Sequence, residues 1–562
     1  MNRKRKEAIA YGFLTIVAIL LFLRNFFSFT WSDESFYLTL VHRFWLGEKM
    51  IADEWFTAQT ISPLLLPFYS LYQKITGGNE GVYSYFRTLY WCISTATCIY
   101  SYQVLKKYHQ IENALAASLL YYLYSRANIG GMSYYNMTLT LTLLGCLLLY
   151  DQLMKESTSY GKCIIIGILW ALAVVSTPYL SVVYLVAFFS AFCMKRGRKQ
   201  WKSILCILFG SAVMAILYLR FLLSRTSISE LLFNIPYILN EPELQKTNPL
   251  LVLPLMAARI GWRYKWTIVP YGIGVVVSLV SILRKNHTEK KKRIILLGNL
   301  LIFFGNVILS WGMIGCINIA YVLFIFLFWL SEAEGKWEKR DIQLLIFFIV
   351  GACLSLAFSF SSDTGLDAMS IGFVLLAMSS MLWFGKQKKE KIAWGLVSIL
   401  LLETTVLRLF SVYRDAPIGE LNTQLNRGPG KYLFTTEEHQ HQYEKVLEDI
   451  EAYVRPEDRV LYSQSCFWSY LCGNNAYGTP SSWRMPLNSR RLEEYFTLYP
   501  EKIPTCVVVF HPEYGNFSSS LIQGNEVAKE PNFNFTEGFL YEYMMEQDYQ
   551  IIQGKTAKIY RK

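Results

Sequence analysis

The sequence predicts a polytopic α-helical membrane protein, with about thirteen transmembrane helices of roughly 17–25 residues each and a C-terminal extracytoplasmic α/β domain. Three observations predict it. Apolar residues make up 53% of the 562 residues and charged residues only 17%, a balance that a fully water-exposed surface does not sustain. Long apolar segments recur along residues 1–413 and stop there. Lysine and arginine gather in short runs between those segments, at 3–6, 106–107, 195–199, 284–293 and 386–391, which is the positive-inside pattern. The net charge of +12 is therefore a sign of topology, and nucleic acid is excluded as its partner.

The first segment, 8–29, starts with RKRK and is followed by RNFFSFTW rather than by a small-residue cleavage site. An uncleaved anchor with a cytoplasmic N-terminus is expected. Further spans are expected near 83–105, 111–127, 133–153, 162–178, 180–195, 202–223, 267–284, 293–311, 314–331, 341–359, 368–385 and 391–413. The pair meeting at Thr177-Pro178 is the least sharply divided. An odd number of spans places every basic run inside and the C-terminus outside.

The loop 30–82 is long but not simply polar. Phe36, Leu40, Phe44 and Trp45 recur at helical spacing within 35–45, and ISPLLLPFYSLYQKI at 61–75 is too short and proline-interrupted to span. Both stretches are expected to be helices lying along the outer membrane surface. A second large external loop covers 224–266. Residues 1–413 form the transmembrane domain, and from 414 to 562 the pattern becomes that of a small soluble domain. It has a helix over 436–453, strands at 459–463 and 506–511, and a terminal hairpin around YQIIQG and AKIYRK.

The candidate chemistry starts at WSDESFY, where Asp33 and Glu34 follow the first span directly. A carboxylate at the mouth of a membrane pocket can take a proton from a hydroxyl. Asp53 and Glu54 form a second acidic pair in the same loop, with ordinary solvated acids as the equal alternative. Arg87 stands about one turn inside the second span, where it must snorkel or pair with an anion. Arg259, Arg263 and Lys265 crowd the outer mouth of a later span among Trp262, Tyr264 and Trp266, a setting for a lipid phosphate or for an interfacial aromatic belt. Gly130 and Gly131 allow a tight external turn, and Asn136 heads an NMT tripeptide too close to a span for glycosylation. Asp363 and Asp367 read as ordinary turn residues. His439, His441 and His511 lack ligand spacing, no metal motif is present, and the cofactor is left open, a divalent cation included. Of the eleven cysteines, Cys466, Cys472 and Cys506 fall in the outer domain, and one disulfide among them is left open.

The Asp33-Glu34 pair after the first span, the stretch QTISPLLLPFYSLY and Arg87 opening the second span resemble the GT-C type of polyprenyl-phosphate-dependent membrane glycosyltransferases. The resemblance is particularly to the broad group of protein O-mannosyltransferase-like and aminoarabinose-transferase-like enzymes, and it covers about the first 140 residues. It implies transfer of a hexose or pentose from a polyprenyl-phosphate carrier to a hydroxyl on a glycan, lipid or protein acceptor of the cell envelope. It also implies Asp33 as the base, with Glu34 orienting it or binding substrate. The phosphate would be held by Arg87, Arg259, Arg263 and Lys265, with Asp53, Glu54 and Gln59 as further substrate-binding residues. The chain departs from the aminoarabinose branch at Phe36, where arginine is usual, at Gln59, where lysine is usual, and in its single prolines Pro63 and Pro67. A flippase or polymerase of lipid-linked saccharides is the competing expectation. The charges gather at the outer rim rather than through the midplane, which favours the transferase.

Overall fold

The computed structural model describes residues 2–31, 33–155, 158–193, 200–239, 276, 339–361, 366–384, 390–463, 467–482, 487–511, 514 and 535–562. The expected spans 267–284, 293–311 and 314–331 lie outside the described residues. Every other expected span coincides with a helix. These are α1 (Arg3–Arg24), α4 (Val82–Leu105), α5 (Ile111–Leu123), α6 (Tyr134–Lys155), α7 (Tyr160–Ser176), α8 (Leu180–Cys193), α9 (Trp201–Leu223), α11 (Lys339–Ser361), α12 (Leu366–Phe384) and α13 (Glu390–Phe410). Four described helices, α1, α6, α9 and α11, are long and apolar enough to cross a membrane. Thr177-Pro178 does divide α7 from α8, because proline bars the helical conformation of the residue before it. Close helix packing is made by glycine: a Cβ on Gly167 of α7 would stand 2.0 Å from the carbonyl oxygen of Ile207 on α9, so no larger residue fits that crossing.

One end of the bundle is basic. Lys6 meets Glu112 at 2.5 Å, Lys106 meets Glu7 at 2.9 Å, and Lys107, Lys155 and Lys162 surround Asp151. The opposite end carries the C-terminal domain.

The loop 30–82 departs from expectation at its first helix. α2 (Asp33–Trp45) is buried from Glu34 through Phe44 without a break, so it is not a surface helix with one wet face. The apolar spacing is real, but the polar residues between find partners inside the protein. α3 (Ser62–Thr76) does keep two faces: Ser62, Leu65, Tyr69, Tyr72 and Gln73 are buried, whereas Leu71 and Ile75 are exposed. A 3-10 turn at Thr57–Ile61 leads into it.

What covers α2 is the C-terminal domain. Its sheet runs β4 (Ala476–Tyr477), β3 (Arg459–Tyr462), β5 (Cys506–Phe510), β7 (Ala557–Arg561), β6 (Gln550–Gln553). The first three strands are parallel, and β6 and β7 form the expected antiparallel hairpin. Helix α14 (Glu437–Tyr453) is capped by Thr436, whose hydroxyl accepts from the His439 amide. A two-stranded ribbon, β1 (Thr423–Gln424) with β2 (Phe434–Thr435), reaches to the bundle, where Ser28 N–H donates to Phe434 O at 2.9 Å and Phe434 N–H to Phe26 O at 2.7 Å. Phe29, Trp31, Tyr443 and Trp468 then form one aromatic cluster across the junction. Cys506 is a buried free thiol, pushed up to about 12 by burial, and Cys466 lies outside the described residues.

At the far end of α2, Arg43 is fully buried. Its Nε donates to Glu48 at 2.5 Å, Nη1 to Glu54 at 2.9 Å and Nη2 to the Thr479 carbonyl at 2.6 Å, while the guanidinium carbon lies 5.2 Å from the centre of the Tyr477 ring. Burial alone would lower the guanidinium's pKa, but the Glu48 and Glu54 carboxylates outweigh it and hold Arg43 charged. Removing one member of such a pair leaves the other ions unpaired in a dry site. Arg43→Met should therefore destabilise the docked domain by about 3–5 kcal/mol, read as a lower thermal midpoint in detergent.

His42 lies beside it, hydrogen-bonded through Nδ1 to Tyr477 Oη at 2.9 Å. Burial lowers its pKa to about 4 from 6.5. A folded pKa below the unfolded one means that its contribution is complete above pH 6.5 and is lost as pH falls toward 4. The loss should be on the order of 3 kcal/mol. Unfolding midpoints measured from pH 7 to 4 should fall less steeply in His42→Gln than in the parent.

Candidate active site

Asp33 opens α2, and its Oδ2 accepts from Tyr413 Oη at 2.9 Å and from Arg414 Nη1 at 2.7 Å. Asp33 retains 24% of its side-chain exposure and Arg414 20%. Both partners come from the segment immediately after α13, where the bundle passes into the C-terminal domain. Arg414 is held at φ 53, a left-handed angle that non-glycine residues adopt at a cost of about 1–3 kcal/mol, so the surroundings must enforce it. Burial first, and then the Asp33 carboxylate, raise the Tyr413 phenol above its ordinary range, which keeps it a proton donor to Asp33.

Glu34 turns the other way. Its carboxylate takes a two-pronged ion pair from Arg87, Nε at 2.8 Å and Nη2 at 2.5 Å, with both side chains buried. Arg87 Nη1 also donates to the carbonyls of Asn25 and Ser28 at 2.8 and 3.0 Å. Of the two alternatives for Arg87, snorkelling and pairing with an anion, the structure has the second. The anion is a carboxylate of the chain itself, which leaves no edge of this guanidinium turned to a lipid phosphate. The turn at 130–131 closes over the pair: a Cβ on Gly131 would lie 2.9 Å from Glu34 Oε1 and one on Gly130 3.5 Å from Arg87 Cγ. Both glycines serve close approach, since neither has a positive φ. Gly131→Ala should push Glu34 off Arg87 and lower the thermal midpoint by several degrees, whereas Gly77→Ala, with nothing within 4 Å of its Cβ, isolates the cost of the backbone angle alone.

The second acidic pair is not beside Asp33. Glu54 accepts from Arg43, from Ser482 N–H and Oγ at 2.8 Å, and from Phe56 N–H at 3.0 Å. Asp53 accepts from Lys49 N–H and pairs with Lys502 at 3.0 Å. Gln59 accepts from Ile51 N–H and donates to the carbonyls of Glu54 and Phe56. All three side chains are buried: Asp53 and Glu54 fasten the first loop to the C-terminal domain, and Gln59 fastens the loop to itself. Arg259, Arg263 and Lys265 lie outside the described residues, as does Asp363.

Several residues near Asp33 were not singled out from sequence. Arg126, in the turn between α5 and α6, is half-buried and stacks 4.1 Å over the Tyr135 ring. Tyr135 packs on Tyr134 at 3.9 Å, and Tyr134 on Tyr37 of α2 at 5.6 Å. Asp33, Tyr135, Arg126 and Tyr413 all act electrostatically on the Tyr37 phenol. The run Tyr413-Arg414 directly after a span was the only sequence signal available for it. Deeper in the bundle, Arg408 donates to Asn128 Oδ1 and lines a cavity of about 10 Å³ with Asn25, Tyr90, Ser94 and Tyr122, room for about one water. Asn136 is buried and donates to the Ile129 and Gly131 carbonyls. His439 Nδ1 donates to Asp415 Oδ1 at 2.8 Å. Among the described residues, no group of three or more His, Cys, Asp or Glu is placed to hold a metal ion.

Fold and site together define a helical membrane protein with a small α/β domain docked on one end and a carboxylate at the junction. No family model matches the chain, and no curated protein matches it. Among solved structures it is similar to ArnT from Cupriavidus metallidurans bound to undecaprenyl phosphate, over 98% of this chain and 97% of that one, with a TM-score of 0.44 and 10% identity. Likeness at that level assigns neither activity nor site residues.

Proposed function

We propose that this protein is a membrane glycosyltransferase that moves a sugar from a polyprenyl-phosphate carrier to an acceptor hydroxyl at the end of the bundle bearing the C-terminal domain. The observation that carries the proposal is Asp33, which alone among Asp33, Glu34, Asp53 and Glu54 keeps solvent access, fixed by Tyr413 and Arg414. The resemblance at Asp33-Glu34 supports the same role. The basic end of the bundle supports a cytoplasmic N-terminus and a C-terminal domain outside.

In this reading the acceptor hydroxyl gives its proton to Asp33 as its oxygen bonds to the anomeric carbon. The bond from that carbon to the phosphate oxygen breaks, and the lipid phosphate departs as an anion that needs cations rather than a proton. Arg414 is the cation paired with Asp33, and Arg126, which like Asp33 acts on Tyr37, is proposed to add to it together with Arg259, Arg263 and Lys265. Tyr134 and Tyr135, each half-buried, offer apolar ring faces for a sugar. Glu34 and Arg87 act as positioning residues, because their pair fixes the first turn of α2.

Purified protein in liposomes should transfer label from a polyprenyl-phosphate sugar to acceptor. Asp33→Asn should cut the rate by about 10²–10⁴-fold with little change in thermal midpoint. Undiminished transfer in that variant would remove Asp33 as base. Translocation of the intact lipid-linked sugar with no transfer would point to a flippase instead.

A further inference from the structure

Helix α10 (Ile228–Leu239) follows α9 after four residues and has a role that the first loop was expected to fill. One face of it is fastened to the protein. Glu230 pairs with Lys49 at 2.7 Å, Asn234 Oδ1 accepts from Trp55 Nε1 at 3.0 Å, and Tyr237 stacks on the Trp55 ring at 4.6 Å. Asn234 also bonds Tyr499 of the C-terminal domain. Among the described residues the opposite face is apolar and bare. Ile228, Leu232, Ile235 and Leu239 are 61, 64, 39 and 63% exposed. At 100° per residue they fall within an arc of about 60°.

Twelve residues cannot span a bilayer that needs about 20. The fastened face prevents α10 from rolling to hide its stripe. α9, which ends four residues before α10, also turns apolar residues outward: Phe209, Ile216 and Leu219 are half exposed or more on a helix long and apolar enough to cross a membrane. An apolar stripe fixed in orientation directly after such a helix is what an interfacial helix requires.

We infer that α10 lies in the membrane interface on the side of the C-terminal domain, with Ile228, Leu232, Ile235 and Leu239 inserted among phospholipid acyl chains. It straps that domain to the bilayer through Trp55, Asn234 and Tyr499. The occupant of the stripe is lipid, not a second protein surface.

Photo-crosslinking tests this with the full chain in liposomes of phosphatidylethanolamine and phosphatidylglycerol. A benzoylphenylalanine is placed at Leu232 or Ile235, with Lys555 on the sheet domain as the water-facing control and Ile228 as a further site should either variant fail to fold. Irradiation should give phospholipid adducts at 232 and 235 at least tenfold above those at 555, read by mass spectrometry. Adducts to peptides of this chain, or to a second copy, would mean that protein covers the stripe and would overturn the inference. Lipid adducts no more frequent than at 555 would overturn it as well.

Discussion

Helix α2 is held at both ends by buried ion pairs, and the rest of the structure depends on that constraint. At its start Glu34 meets Arg87 of α4; near its end Arg43 meets Glu48 and Glu54 and the Thr479 carbonyl. Burying ions is costly unless every charge and lone pair is answered. Glu34 is answered by Arg87 of the bundle, and the first-loop cluster Arg43, Glu48 and Glu54 has its remaining hydrogen bonds completed by Thr479, Tyr477 and Ser482 of the C-terminal domain, so the full set forms only when bundle, first loop and C-terminal domain are together. Their contribution is specificity of docking more than raw stability.

That docking sets where chemistry can occur. The two adjacent acids at 33 and 34 diverge because successive helical residues point about 100° apart. Glu34 is drawn into the bundle by Arg87, and Asp33 is left at the seam, where the chain leaving α13 delivers Tyr413 and Arg414. Pro480, Ser482 and Tyr495 of the C-terminal domain contact residues 53–55, while Trp55 also touches α10. The seam is thus one connected layer between the membrane bundle and the soluble domain, and the interfacial helix lies at its edge.

Much of the architecture was legible beforehand because it rests on local signals. Apolar runs marked the described spans, Thr177-Pro178 marked the break between α7 and α8, and the capped TEEHQHQYEKVLEDIEAYV and alternating CVVVFH marked α14 and β5. The misreading of α2 has a clear cause. Periodicity reports which residues are apolar, and it cannot report that Ser35, Thr39, His42 and Arg43 find buried partners. α10 lies within the expected external loop 224–266, because an amphipathic pattern of only twelve residues is hard to tell from loop in one dimension.

The sequence by itself determined the class: a membrane bundle with basic turns at one end, a soluble domain after residue 413, and a carboxylate pair directly behind the first helix. Hydropathy, charge placement and turn chemistry act over a few residues and survive in one dimension. Only the tertiary structure decided which carboxylate stays accessible, that Arg87 belongs to Glu34, and that Asp53, Glu54 and Gln59 are fasteners. Those outcomes depend on partners hundreds of residues away, such as Arg414 for Asp33 and Ser482 for Glu54, and on Coulombic and hydrogen-bond contacts that operate only at a few ångströms.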